Sequence, residues 1–130
     1  MHATPTTSVF LVLVLTALGL PAAAGAAPEG GFRCDPAGLQ QEMNACAVDD
    51  YKAADRALNL RYKEVMSALT PERRSALRTE QRAWVRARDP RCKARVKDAE
   101  GGSIWPLVYF TCLAQATKTR TEQLGNWAGR

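Results

Sequence analysis

Apolar residues return at steps of three or four from Leu39 through Met43, Ala47, Tyr51, Ala54, Leu58, Tyr62, Val65 and Leu69. That spacing puts every one of them on a single face of a helix. Period-two alternation, the mark of a half-buried strand, is found in no part of the chain. The helix is expected to open at Asp35-Pro36, a capping residue followed by a first-turn proline, and to bend near Gly38. Thr70-Pro71-Glu72 marks a second start, from which Leu77, Gln81, Trp84 and Arg88 form the inward stripe. Pro90 is expected to kink this helix or to open a new segment with Asp89 as its cap. Glu100-Gly101-Gly102-Ser103 is the next break. Ser103 and Pro106 suit the start of a third helix with the stripe Tyr109, Leu113, Ala116, Arg120 and Leu124, ended by Gly125. The expected class is all-α, a small antiparallel three-to-four-helix bundle stapled by two disulfides.

The first 26 residues read as an export signal. An apolar run from Ser8 leads into small residues, with Ala22-Ala23-Ala24 and Ala24-Gly25-Ala26 as competing cleavage sites. The run is short for a membrane span, so no transmembrane segment is expected after cleavage. Residues 27–33 form a Pro/Gly-rich leader, 34–125 the helical domain and 126–130 a tail. Export places the chain in a periplasmic or secreted location, where disulfides persist.

Cys34, Cys46, Cys92 and Cys112 are an even set and imply two bridges. Counted from the Gly101-Gly102 turn, Cys92 and Cys112 stand nearly level on neighbouring helices, which favours their pairing. Cys34–Cys46 is then the second bridge. In one straight helix these two would lie about 18 Å apart, so the chain before Cys46 must fold back. Bridging of Cys34 or Cys46 to another helix stays open. The single histidine, His2, precedes the cleavage sites. With the thiols paired and no histidine left, no catalytic residue, metal site or cofactor is expected.

Each inward stripe carries polar residues. Asp55 and Asn59 accompany Leu58, Gln81 and Arg88 flank Trp84, and Arg120 lies between Ala116 and Leu124. Measured from Thr70, Asp55 and Trp84 reach nearly the same height, with Arg88 a turn beyond, and Asn59 matches Gln81. Asp55 is therefore expected to pair with Arg88 or Arg120, and Asn59 to lie close to Gln81. Asp55, Asn59, Gln81, Trp84, Arg88 and Arg120 read as a structural polar network that sets helix register.

These same stretches carry a family resemblance. Glu42–Ala47 (EMNACA), Asp55–Tyr62 (DRALNLRY), Glu80–Cys92 (EQRAWVRARDPRC), Gly101–Ile104 (GGSI) and Cys112–Leu124 (CLAQATKTRTEQL) resemble, in order, the LprI-like lysozyme-inhibitor domain family. The similarity covers about Cys34 to Leu124. It implies a small exported helical domain with disulfides, and lysozyme or another glycan hydrolase as partner. The lipid-attachment cysteine of some members is missing here, which implies a soluble domain. Pro90 interrupts the family's usual Arg-Asp-x-x-Cys helix.

Two surfaces then stand out. Gly101, Gly102, Ser103 and Trp105 offer close backbone approach, a hydroxyl and an aromatic anchor, which suits a loop that fills a hydrolase cleft and meets its two carboxylates. C-type lysozymes are usually basic and this chain carries a net charge of +5; acids at Glu42, Asp49 and Asp50 are expected to offset the repulsion. The second surface is cationic. Residues 73–97 hold ten Lys or Arg against two acids, and Arg74, Arg78, Arg82 and Arg86 form an i, i+4 ladder. It suits an anionic envelope lipid or glycan, and export argues against nucleic acid.

Overall fold

The computed structural model describes residues 31–129. The expected signal and its cleavage sites lie outside the described residues, as does the leader before Gly31. Three α-helices follow: α1 (Gln40–Ala68), α2 (Pro71–Arg95) and α3 (Trp105–Ala128), with a 3-10 turn at Lys97–Ala99. No strand occurs among the described residues.

The start of α1 differs from expectation. Asp35 uses its side chain locally, accepting from the Ala37 N–H at 2.9 Å, while its carbonyl accepts from Gly38 at 3.2 Å. Such a turn competes with helix, so α1 opens only at Gln40. Leu39 takes the cap position, and the Glu42 carboxylate accepts from its N–H at 2.7 Å. Gly38 is thus a turn residue rather than a bend within the helix. A Cβ there would collide with the Glu42 carboxylate. The turn brings Cys34 back over α1, and the Cys34–Cys46 bridge closes with the Cα atoms 4.4 Å apart.

At the next junction Thr70 and Pro71 act as their types dictate. The Arg73 N–H donates to Thr70 Oγ1 at 3.4 Å, and the proline occupies the first turn, where no N–H is needed. α2 then runs unbroken through Pro90. Asp89 opens no new segment; its carboxylate is engaged by Arg88 Nε at 2.8 Å. After the 3-10 turn, Gly101 adopts φ +79°, a conformation that suits glycine. Ile104, not Ser103, precedes α3, which has Pro106 in its first turn. Gly125 does not end α3. The helix continues to Ala128, so Trp127 joins the core margin instead of a tail, and its carbonyl accepts from Arg73 Nη2 at 2.8 Å.

The backbones of α1 and α3 approach most closely, and α2 stands further off. Asn44 reaches the chain just before α3, Tyr51 meets Phe110, and Gly125 faces Arg61, so the pairs climb α1 and α3 together. Buried Ala47, Ala54 and Ala114 suit this short distance. Along α2 the order reverses: Arg73 meets Trp127, Gln81 meets Arg120, and Cys92 is bonded to Cys112.

The core has two apolar parts. Leu58, Val65, Leu69, Leu77 and Leu124 form one, flanked by Tyr62, Met66, Trp84 and Trp127. The Cys92–Cys112 bridge, Tyr109 and Leu113 form the other, flanked by Tyr51, Trp105 and Phe110. Each fully buried leucine contributes about 1.5–3 kcal/mol relative to exposure. Leu39, placed on the α1 stripe by its spacing, is instead 67% exposed, because it lies at the cap.

Candidate functional site

Between the two apolar parts lies a polar layer drawn from all three helices. Arg88 is its node, with a side chain only 9% exposed. Its Nε donates to Asp89 Oδ1 at 2.8 Å, and Nη1 to Asp55 Oδ1 at 3.2 Å and Thr117 Oγ1 at 3.4 Å. Its Nη2 donates to the Tyr51 hydroxyl at 2.7 Å. The guanidinium also lies 5.1 Å from the Tyr51 ring and 5.4 Å from the Trp84 ring, within cation–π range of both. Burial alone would lower the Arg88 pKa, but the hydrogen bond to Asp89 and its neighbours hold it above the ordinary value. Burial pushes the Tyr51 phenol up, against the opposing pull of Arg88 and with help from Asp55 and Asp89.

Arg120 forms a second node a turn or two along. Its Nε donates to Gln81 Oε1 at 2.8 Å and Nη1 to Glu80 Oε1 at 2.8 Å, while Nη2 is buried with no hydrogen-bond partner. Its guanidinium lies 5.9 Å from the Trp84 ring, so that one indole serves both cations. Asn59 donates to Asp55 Oδ2 at 3.2 Å and shares a groove with Gln81. Sequence reasoning passed over Thr117, which is fully buried, and took Tyr51 only as an apolar stripe member. Its lone signal was Thr117 standing three residues before Arg120 on the inward side.

Asp55 and Asp89 both face the same cation, Arg88, which also holds the Tyr51 hydroxyl. Among the described residues no cluster of three metal-ligating side chains occurs and no cysteine is free.

The turn before α3 is exposed at Gly101, Gly102 and Ser103. The Ser103 carbonyl is tied down by Asn44 Nδ2 at 3.0 Å. Trp105 does not project as an anchor. It is half-buried and stacked on Tyr109, with ring centroids 4.6 Å apart and planes 13° from parallel. Ile104, 45% exposed, is the apolar side chain the turn presents. Of the acids expected to offset the cationic surface, Glu42 is committed to the α1 cap, and Asp49 and Asp50 border different grooves.

The arginine ladder divides as well. Arg74 is half-buried and spent on the end of α1, donating from Nε to the Met66 carbonyl at 2.8 Å and from Nη2 to the Ser67 carbonyl at 3.4 Å. Arg78, Arg82 and Arg86 line a groove of about 470 Å³ with Asn59, Tyr62, Gln81 and Val85.

Fold and site together define a small all-helical domain, stapled by two disulfides, whose buried cations bond from one helix to another. The lysozyme inhibitor LprI family matches residues 34–124, and the chain belongs to that family. It is also 36% identical over 104 residues to an uncharacterized protein of Rhizobium meliloti (strain 1021), covering 70% of this chain and 75% of that one. No solved structure matches. The family is one of inhibitor domains and suggests lysozyme as partner. With the two disulfides it points to an extracytoplasmic protein, and no described helix is long and apolar enough to cross a membrane.

Proposed function

We propose that the chain inhibits a lysozyme-type glycan hydrolase by inserting the turn Gly101–Ile104 into the enzyme's cleft. Family membership carries the reading. The geometry supports it in four ways. The turn joins helices that we read as an antiparallel bundle, so it lies at one end of the domain, exposed at Gly101, Gly102, Ser103 and Ile104. It is preorganised, held by the Asn44 bond on one side and the Trp105–Tyr109 stack on the other, and a rigid turn loses little entropy on binding. Its exposed members, two glycines, a serine hydroxyl and Ile104, suit a cleft that contains two carboxylates and an apolar wall. Asp98 and Glu100, both exposed, place acid next to the turn for a basic enzyme.

Activity of a c-type lysozyme on cell-wall substrate, titrated with the disulfide-intact protein, tests this. Inhibition that saturates near one equivalent is expected, and Ile104→Ser with Gly102→Glu should weaken it about tenfold or more. No inhibition at micromolar excess would reject the reading.

A further inference from the structure

We propose that the groove between α1 and α2 lined by Arg78, Arg82 and Arg86 binds a linear acidic glycan strand. The site is separate from the turn and does not depend on the inhibitory role.

Three observations converge. First, the three guanidiniums stand at successive turns of α2, spanning about 12 Å, and all are exposed. None has an acidic or hydrogen-bonding partner among the described residues, whereas Arg61, Arg88 and Arg120 each hold a carboxylate. Like charges at this spacing repel and lower helix stability, so the fold gains nothing from leaving them uncompensated. A repeating row of guanidiniums suits a repeating row of carboxylates or phosphates.

Second, the floor of the groove has a fixed polarity. Asn59 has committed an amide N–H to Asp55 Oδ2, which leaves its carbonyl oxygen as an acceptor. Gln81 has committed Oε1 to Arg120, which leaves its amide nitrogen as a donor. An acceptor and a donor on one floor are what a sugar hydroxyl requires, since it both donates and accepts.

Third, Tyr62 gives the groove a half-buried aromatic surface, held in place by the core beneath it, and Val85 (46% exposed) extends it. The apolar face of a sugar ring fits such a surface. A single aromatic is poor for single-stranded nucleic acid, which is gripped by several in succession. A flat membrane would meet a projecting patch more readily than guanidiniums set along a concavity.

Calorimetric titration of the disulfide-intact protein with a linear uronic-acid hexasaccharide, at low and high salt, tests the assignment. Binding that weakens with salt is expected. Arg82→Ser should reduce affinity about tenfold, and Arg78→Ser/Arg82→Ser/Arg86→Ser should abolish it, with helical circular dichroism unchanged. Asn59→Leu leaves the charge untouched and should also cost about tenfold. Arg91→Ser/Arg95→Ser removes cations from the neighbouring groove, between α2 and α3, and should leave affinity within about twofold. The proposal fails if the wild type does not bind, if Asn59→Leu changes nothing, or if the Arg91/Arg95 variant loses as much as the triple variant. It fails equally if oligodeoxythymidylate or phosphatidylglycerol vesicles bind more tightly than the uronate.

Discussion

Replacing Arg88 by methionine keeps much of the side-chain volume and removes the cation that joins all three helices. The magnitude depends on which partners can recover. Asp55 and Asp89 have side chains 40% and 47% exposed, so water replaces the guanidinium and each loses about 0.5 kcal/mol. Thr117 is fully buried and cannot be rehydrated; its lost partner costs about 1 kcal/mol. The short bond to the Tyr51 hydroxyl, 2.7 Å, is worth about 1.5 kcal/mol, and the two ring contacts add about 0.5 kcal/mol each. Allowing for overlap among these, Arg88→Met should destabilise by about 3–4 kcal/mol and lower Tm by more than about 10 °C. Urea unfolding followed by circular dichroism, with both disulfides intact, measures it. Double-mutant cycles then apportion it: coupling of Arg88 to Tyr51 (Tyr51→Phe) should exceed coupling to Asp55 (Asp55→Asn). A total loss under about 1 kcal/mol, or an Asp55 coupling larger than the Tyr51 coupling, would refute this account of the layer.

Two further outcomes concern this layer and the apolar part beside it. Arg120→Met strands Gln81 Oε1 in the interior and should cost about 1–3 kcal/mol, but Arg120→Met/Gln81→Met should recover most of the loss, because the native guanidinium already buries an unpartnered Nη2; the urea midpoints compare the two. The Tyr51 and Tyr109 phenols both titrate above their ordinary value, chiefly through burial. A raised folded pKa means stability that is fully present below the unfolded value, about pH 10, and is lost as pH rises through the folded one. Tm should therefore fall from that pH upward, and Tyr51→Phe/Tyr109→Phe should flatten the decline.

The helices were legible because spacing and burial follow the same geometry. Leu58, Val65, Leu77, Leu113 and Leu124 lie on stripes of three and four and are all buried. Polar residues that intrude on such stripes, Gln81, Arg88 and Arg120, are conspicuous for the same reason. Helix ends were harder, since they are decided by competing local bonds. Asp35 prefers its own turn to a cap, and Gly125 stays helical where a larger residue would crowd Arg61, whose Nη2 lies 3.3 Å from the position of a Cβ. Thr117 is easily passed over because its type says surface, while its place three residues before Arg120 says core. Arg74 and Trp105 were misplaced because a sequence shows which side chains share a face but not which atoms a neighbouring helix offers. Arg74 finds open carbonyls at the end of α1, and Trp105 finds the ring of Tyr109.

The close approach of α1 and α3 has a temporal side. The tightest interface of this fold joins α1 to α3, the first and last of the described helices, so contacts of long sequence separation must close before the core exists. A chain that emerges N-terminus first into an oxidising compartment carries α1 and α2 for some time without the element that α1 needs. The Cys34–Cys46 loop is already complete during that interval, and Cys92 has no native partner until Cys112 arrives. The N-terminal bridge can therefore oxidise on a local turn alone, while the second bridge records that the whole domain has come together.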